Sequence, residues 1–227
     1  MSKIAVVIAN PVVGAELGHL GEWLVANDFE VRRLVRDDVL PVDAADDADL
    51  LILLGSIWTM ARPMTEADDE PQAAAAISAE MALVQRWVAM DRPLFGVCFG
   101  GQLLSAALGG QVHRQSAPHI AWETPATEID ALRAPWVLLH NDAFSVPPGA
   151  QMLAEADHAP IAFRYGRAWG VQFHPEVDES ILAQMFTDID ASPDISEPPL
   201  AALRSRADDQ RTDSLRLFDR FWAEVGS

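Results

Sequence analysis

The chain has 227 residues, 50% of them hydrophobic and 22% charged. That is an ordinary globular balance, with length for one substantial core. A formal net charge of −18, from 34 acidic against 16 basic residues, argues against nucleic acid and anionic membranes as partners. A single cysteine excludes an internal disulfide, and no apolar run approaches the roughly 20 residues that span a bilayer. Met1-Ser2-Lys3 leads directly into a β-branched run too short for a secretory segment, so a cytoplasmic protein is expected.

In chain order, Lys3 to Ala9 predicts a central strand. Ala15 to Asn27 predicts a helix with Leu17, Leu20, Leu24 and Val25 on one face. Phe29 to Leu34 and Leu50 to Leu54 predict the next strands. Ile57 to Pro71 reads as an irregular loop with an acidic cluster at Glu66, Asp68, Asp69 and Glu70, either a lid or a plain solvated loop. Ile77 to Met90 is helical in pattern, Pro93 to Val97 a buried strand, and Gln102 to Leu108 a helix stopped by Gly109-Gly110. This rhythm predicts an α/β fold, a mostly parallel central sheet with helices on both faces.

Beyond Leu108 the pattern becomes short strands with turns, at Gln111–Arg114, Glu128–Ala131, Trp136–Leu139, Gln151–Glu155, Ile161–Tyr165 and Ala168–Phe173. A more antiparallel second half is expected. Asp178 to Asp190 predicts a helix. Ala191 to Pro199, with three prolines, reads as a linker. After it, Leu215, Phe218, Phe221, Trp222 and Val225 form an amphipathic stripe. We expect one domain over 1–190 and a helical extension over 191–227 packed on it. The stripe either docks there or makes a homodimer contact.

The chemistry gathers at Cys98. Within Gly96-Val97-Cys98-Phe99-Gly100-Gly101-Gln102 it falls on a sharp strand-to-helix turn, the thiol counterpart of a nucleophile elbow. The positive end of the following helix favours a thiolate there. Such a thiol needs a base, and the base an orienter. Ala168-Trp169-Gly170-Val171-Gln172-Phe173 alternates as a strand with one buried face and ends in His174-Pro175-Glu176. A carboxylate two positions from an imidazole reaches one ring nitrogen and leaves the other for the sulfur. Cys98, His174 and Glu176 are the candidate catalytic residues.

Together these segments resemble the class I glutamine amidotransferase family. The family elbow, G-x-C-x-G-x-Q, is filled at Gly96, Cys98, Gly100 and Gln102, and the His-Pro-Glu triplet is intact. Leu50 to Ser56 looks like the family's oxyanion strand and turn, and Leu138-Leu139-His140-Asn141-Asp142 like the strand and loop before the histidine strand. The resemblance covers roughly Lys3 to Asp190. It implies a flavodoxin-like architecture and hydrolysis of the glutamine amide through a cysteinyl thioester, without a cofactor. It also implies oxyanion donors from the backbone of Phe99 and of Gly55 or Ser56, and substrate contacts from Gln102 and the backbone of Asn141 and Asp142. The chain departs from common members at Gly55-Ser56, where two adjacent glycines are frequent. The family often passes ammonia to a synthase, on the same or another chain.

Three readings stay open: a glutaminase feeding a partner synthase, an independent hydrolase of γ-glutamyl compounds, or a non-catalytic interaction protein. No Walker or dinucleotide glycine pattern follows a strand. The six histidines and one cysteine show no ligand spacing for zinc, so no metal is expected, and His113 and His119 read as exposed loop residues.

Overall fold

A computed structural model describes residues 2–11, 16–61 and 71–226. Nine strands and six α-helices are formed among them: β1 (Lys3–Ala9), α1 (Gly18–Ala26), β2 (Phe29–Val35), β3 (Leu50–Leu53), α2 (Pro71–Ala89), β4 (Leu94–Val97), α3 (Phe99–Ala107), β5 (Val112–Glu123), β6 (Trp136–Phe144), β7 (Gln151–Ala156), β8 (Ala159–Tyr165), β9 (Ala168–Val171), α4 (Glu179–Asp188), α5 (Pro193–Ser205) and α6 (Ala207–Val225). Seven strands form one sheet in the order β2-β1-β3-β4-β9-β8-β7. The first five run parallel, and β8 and β7 close the edge antiparallel. β5 and β6 form a separate antiparallel ribbon.

The apolar runs explain the layers. β3 and β4 are buried at every position, as strands covered on both faces must be. On one face Ala5, Val7, Ile52 and Phe95 pack with Leu20 and Trp23 of α1 and with Phe218 and Phe221 of α6. On the other, Val6, Ile8, Leu51 and Leu53 pack with Leu83, Val84 and Trp87 of α2 and with Leu103 and Leu104 of α3. α4 and α5 form a third cluster against Val137 of β6.

Several expectations are corrected. β9 is buried on both faces, because it lies between β4 and β8 rather than at an exposed position. Asp130–Leu132 is a short 3-10 turn, not a strand. The region read as a linker is α5, which tolerates Pro198 and Pro199 because Leu200 and Leu203 are buried against α4; burial outweighs propensity. Val25 is 73% exposed, and Trp23 takes its place in the core. His113 and His119 lie on β5, which runs far past Arg114, and His119 is half-buried. Asn141 and Asp142 lie within β6 rather than in a loop after it.

The stripe on α6 is covered: Phe218 and Phe221 pack edge-on to Phe95 at 5.6 and 4.9 Å, and Phe221 meets Trp169 at 5.9 Å. Ala15 and the acidic cluster of the expected lid lie outside the described residues. Among the described residues no helix is long and apolar enough to cross a membrane.

Candidate active site

β4 ends at Val97, and α3 begins at Phe99. Between them Cys98 is held at φ 51° and ψ −108°, a left-handed conformation that a non-glycine residue adopts only when its surroundings impose it. Its N–H donates to Val171 O at 2.8 Å, and its carbonyl accepts from Gln102 N at 3.0 Å. The turn needs Gly100, where an added Cβ would come within 2.2 Å of Leu53 O. Thus β3, β4 and β9 clamp the elbow from both sides.

The cysteine is 5% exposed, yet it lines a cleft of about 520 Å³ with Ser56, Gln102, Asn141 and Asp142. On its other side it borders a recess of about 40 Å³ that holds Gly55, His174 and Glu176. The sulfur therefore sits between an open cleft and a buried acid–base pair.

His174 follows β9, tied to the ribbon by its N–H donating to Val137 O at 3.0 Å. Its Nδ1 meets Glu176 Oε1 at 2.7 Å, and the two side chains are 2% and 6% exposed. The buried Nε2 has no hydrogen-bond partner. Burial alone lowers the His174 imidazole, but the charges of Glu176 and Cys98 and the hydrogen bond to Glu176 raise it well above the usual 6.5. Gly55 is the contact on the third side: a Cβ there would lie 3.1 Å from His174 Cε1 and 3.7 Å from Cys98 Cβ.

Sequence reasoning missed how Gly55 is held. Arg36, fully buried, donates from Nη1 to Gly55 O and from Nη2 to Leu54 O, each at 2.9 Å. Its Nε and Nη2 grip Glu80 at 2.8 and 3.1 Å. Nothing in Val35-Arg36-Asp37 signals this role, since the partners lie 18 to 44 positions away. Ser56 faces the cleft, with its Oγ accepting from Trp58 N at 3.0 Å.

The far wall is a polar lattice. Gln102 Nε2 donates to Asp142 O at 2.9 Å and to Gln172 Oε1 at 3.3 Å, while Gln172 Nε2 donates to Cys98 Sγ at 3.5 Å. Asp142 O is also met by His140 Nδ1 at 2.9 Å. The carboxylate of Asp142 accepts from Arg114 Nε at 2.6 Å and Thr59 Oγ1 at 2.5 Å. Burial, with the nearby His119, pushes His140 down to about 3, so it is neutral in the cleft wall. Gln172 lies within the histidine-strand segment, but nothing in the sequence singles it out, and Thr59 and Arg114 carry no signal either.

Comparison with known proteins agrees with this geometry. A family model described as glutamine amidotransferase class-I matches residues 41–188. The GMP synthase [glutamine-hydrolyzing] of Aeropyrum pernix is 37% identical over 102 residues, which are 39% of this chain and 19% of that protein. The chain thus spans about a fifth of the length of such relatives. A glutamine amido transferase from Methylobacillus flagellatus superposes with TM-score 0.73 at 24% identity, covering 99% of this chain and 96% of its own. A glutamine amidotransferase from Thermotoga maritima gives 0.75 at 19% identity, covering 97% and 98%. These two likenesses are of fold.

Proposed function

Because the chain belongs to the class-I glutamine amidotransferase family, we infer that it hydrolyses the side-chain amide of glutamine and delivers the ammonia to an acceptor synthase. The observation that carries this reading is the arrangement of His174: one nitrogen on Glu176 at 2.7 Å, the other buried without a hydrogen-bond partner, and the ring lining the same recess as Cys98 on its strained elbow. In this reading the Cys98 thiolate attacks the amide carbon and forms a C–S bond. The carbonyl electrons move to oxygen, and the backbone N–H groups of Phe99 and of Gly55 or Ser56 receive the oxyanion. His174, whose pKa Glu176 raises, gives its proton to the departing nitrogen as the C–N bond breaks. The neutral imidazole then takes a proton from water, whose oxygen attacks the thioester. The C–S bond breaks, glutamate leaves, and the expelled Cys98 thiolate again faces a His174 that keeps the proton taken from water. Glu176 keeps the ring oriented and stabilises the imidazolium. No metal or cofactor is needed for these steps.

Gln102, Asn141 and Asp142 are proposed to hold the amino-acid end of the substrate. Asp142 O already has two donors, so its part is to position Gln102, and Asn141 offers the open edge. Residues 1–190 are proposed as the catalytic domain and 191–227 as its helical extension. A second reading, hydrolysis of γ-glutamyl amides or peptides, is favoured by the size of the cleft, about 520 Å³. That lies in the range that takes drug-sized ligands, more than a lone glutamine fills.

The test is glutaminase activity and alkylation by a glutamine-analogue electrophile, wild type against Cys98→Ala. Turnover and labelling are expected in wild type, with both abolished in the variant. Turnover that survives Cys98→Ala removes the nucleophile. A wild type that turns over γ-glutamyl amides but not glutamine selects the second reading.

A further inference from the structure

Three histidines that the sequence scatters are stacked behind the cleft wall. His119 on β5 pairs with His140 on β6 in the ribbon register. His158, in the turn between β7 and β8, lies on His119 with ring centroids 3.9 Å apart and on His140 at 5.6 Å. Glu123, four residues after His119, accepts its Nε2 contact at 2.8 Å. Glu123 Oε2 also faces His158 Nδ1 at 3.7 Å. One donor atom from each of His119, Glu123 and His158 lies within 4.8 Å of the others, the one such group among the described residues.

We propose that His119, Glu123 and His158 form a binding site for one divalent transition-metal ion, with zinc the fitting probe. Two imidazoles and a carboxylate, with a fourth position left to water, make a donor set suited to that ion. One distance favours it, and the 2.8 Å contact between His119 and Glu123 is the hydrogen bond that an ion would replace. The 3.7 Å gap between His158 and Glu123 is too long for a hydrogen bond. It is near the roughly 3.4 Å that separates two donors of a tetrahedral zinc with bonds of about 2.0–2.1 Å. Ligation asks only that the two stacked rings tilt toward a common point. Without an ion, Glu123 satisfies one imidazole, that of His119, and leaves His158 Nδ1 beyond hydrogen-bond reach. A chain of net charge −18 also raises the local cation concentration.

Position gives the site a consequence. The ion would bridge the β5–β6 ribbon to the β7–β8 turn, two parts of separate sheets, and it would sit directly behind His140. It acts as a staple that holds the ribbon, and with it Asn141 and Asp142, against the elbow. This does not depend on the reaction catalysed.

The experiment is equilibrium dialysis of tag-free protein against Zn²⁺ with elemental analysis, paired with thermal unfolding with and without the ion. Wild type is expected to bind one Zn²⁺ per chain and to unfold several degrees higher when loaded. Glu123→Gln and His158→Asn, checked for folding by circular dichroism in EDTA, are expected to bind more than about 100-fold more weakly, beyond the roughly 10- to 100-fold that loss of an outer-shell partner costs, and to lose the thermal shift. Cys98→Ser is expected to keep both. The proposal falls if wild type shows no saturable binding, if both ligand variants bind like wild type, or if Cys98→Ser abolishes uptake. Should neither ligand variant fold, Co²⁺ uptake by wild type decides: a tetrahedral absorption spectrum supports the site, and an octahedral aqua-like spectrum overturns it.

Discussion

Cys98 is aimed by the main chain: its own N–H on Val171 O, the Gln102 amide on its carbonyl, and a Gly100 backbone pressed onto Leu53. Across the cleft the ribbon is aimed by side chains, with Thr59, Arg114, Gln102 and His140 all converging on Asp142. The elbow half is clamped among β3, β4 and β9, each buried at every position, whereas the ribbon is a pair of strands outside that sheet. The contrast teaches that a nucleophile is fixed by close backbone approach, which is intolerant of added atoms. The substrate wall is fixed by replaceable hydrogen bonds, which permits variation of what the cleft accepts. Arg36 belongs to the first regime although it is a side chain, because it holds the carbonyls of Leu54 and Gly55 in the turn proposed to receive the oxyanion.

The largest effect is expected at Arg36. Arg36→Met leaves Glu80 buried and uncompensated and should cost about 3–5 kcal/mol of stability, measured by urea unfolding. Arg36→Met with Glu80→Leu should recover most of that stability yet keep low glutaminase activity, because Leu54 and Gly55 lose their anchor. A double variant that recovers activity with stability would break the assignment of Arg36 to the turn. Gly100→Ala comes next. A Cβ 2.2 Å from Leu53 O forces strand and helix apart, for about 3 kcal/mol and near-total loss of activity. An unchanged unfolding midpoint would show that the elbow has slack.

Glu176→Gln tests the acid–base pair with little change of shape. Turnover is expected to fall about 10²- to 10⁴-fold, and the alkaline limb of the pH–rate profile should move to lower pH. The sign follows from His174, whose folded pKa is raised. The stability it contributes is complete below the unfolded value near 6.5 and is lost as pH rises through the folded value. In Glu176→Gln that alkaline loss should shrink; titrating unfolding midpoints from pH 6 upward checks it. The smallest effect is expected on the ribbon side. Thr59→Val removes one donor to Asp142 at about 1 kcal/mol, read as a several-fold rise in KM with kcat unchanged. A large fall in kcat instead would place Thr59 with the rigid half and erase the contrast.

Local patterns determined a good deal by themselves. The strand, elbow and helix around Cys98, the His174-Pro175-Glu176 triplet and the parallel first half were legible because each is encoded within a few neighbouring residues. Apolar runs, glycines at fixed offsets and a carboxylate two positions from an imidazole are short-range signals, and short-range physics carries them out. Tertiary structure alone decided the rest. The proline-rich stretch after Ala191 is helical because Leu200 and Leu203 find α4. Buried Arg36 reaches Gly55 across 19 residues, and His158 meets His119 through a separate sheet. Those contacts arise from where the sheet order brings distant segments, and a side chain's worth depends there on partners that its own neighbourhood in the chain does not name.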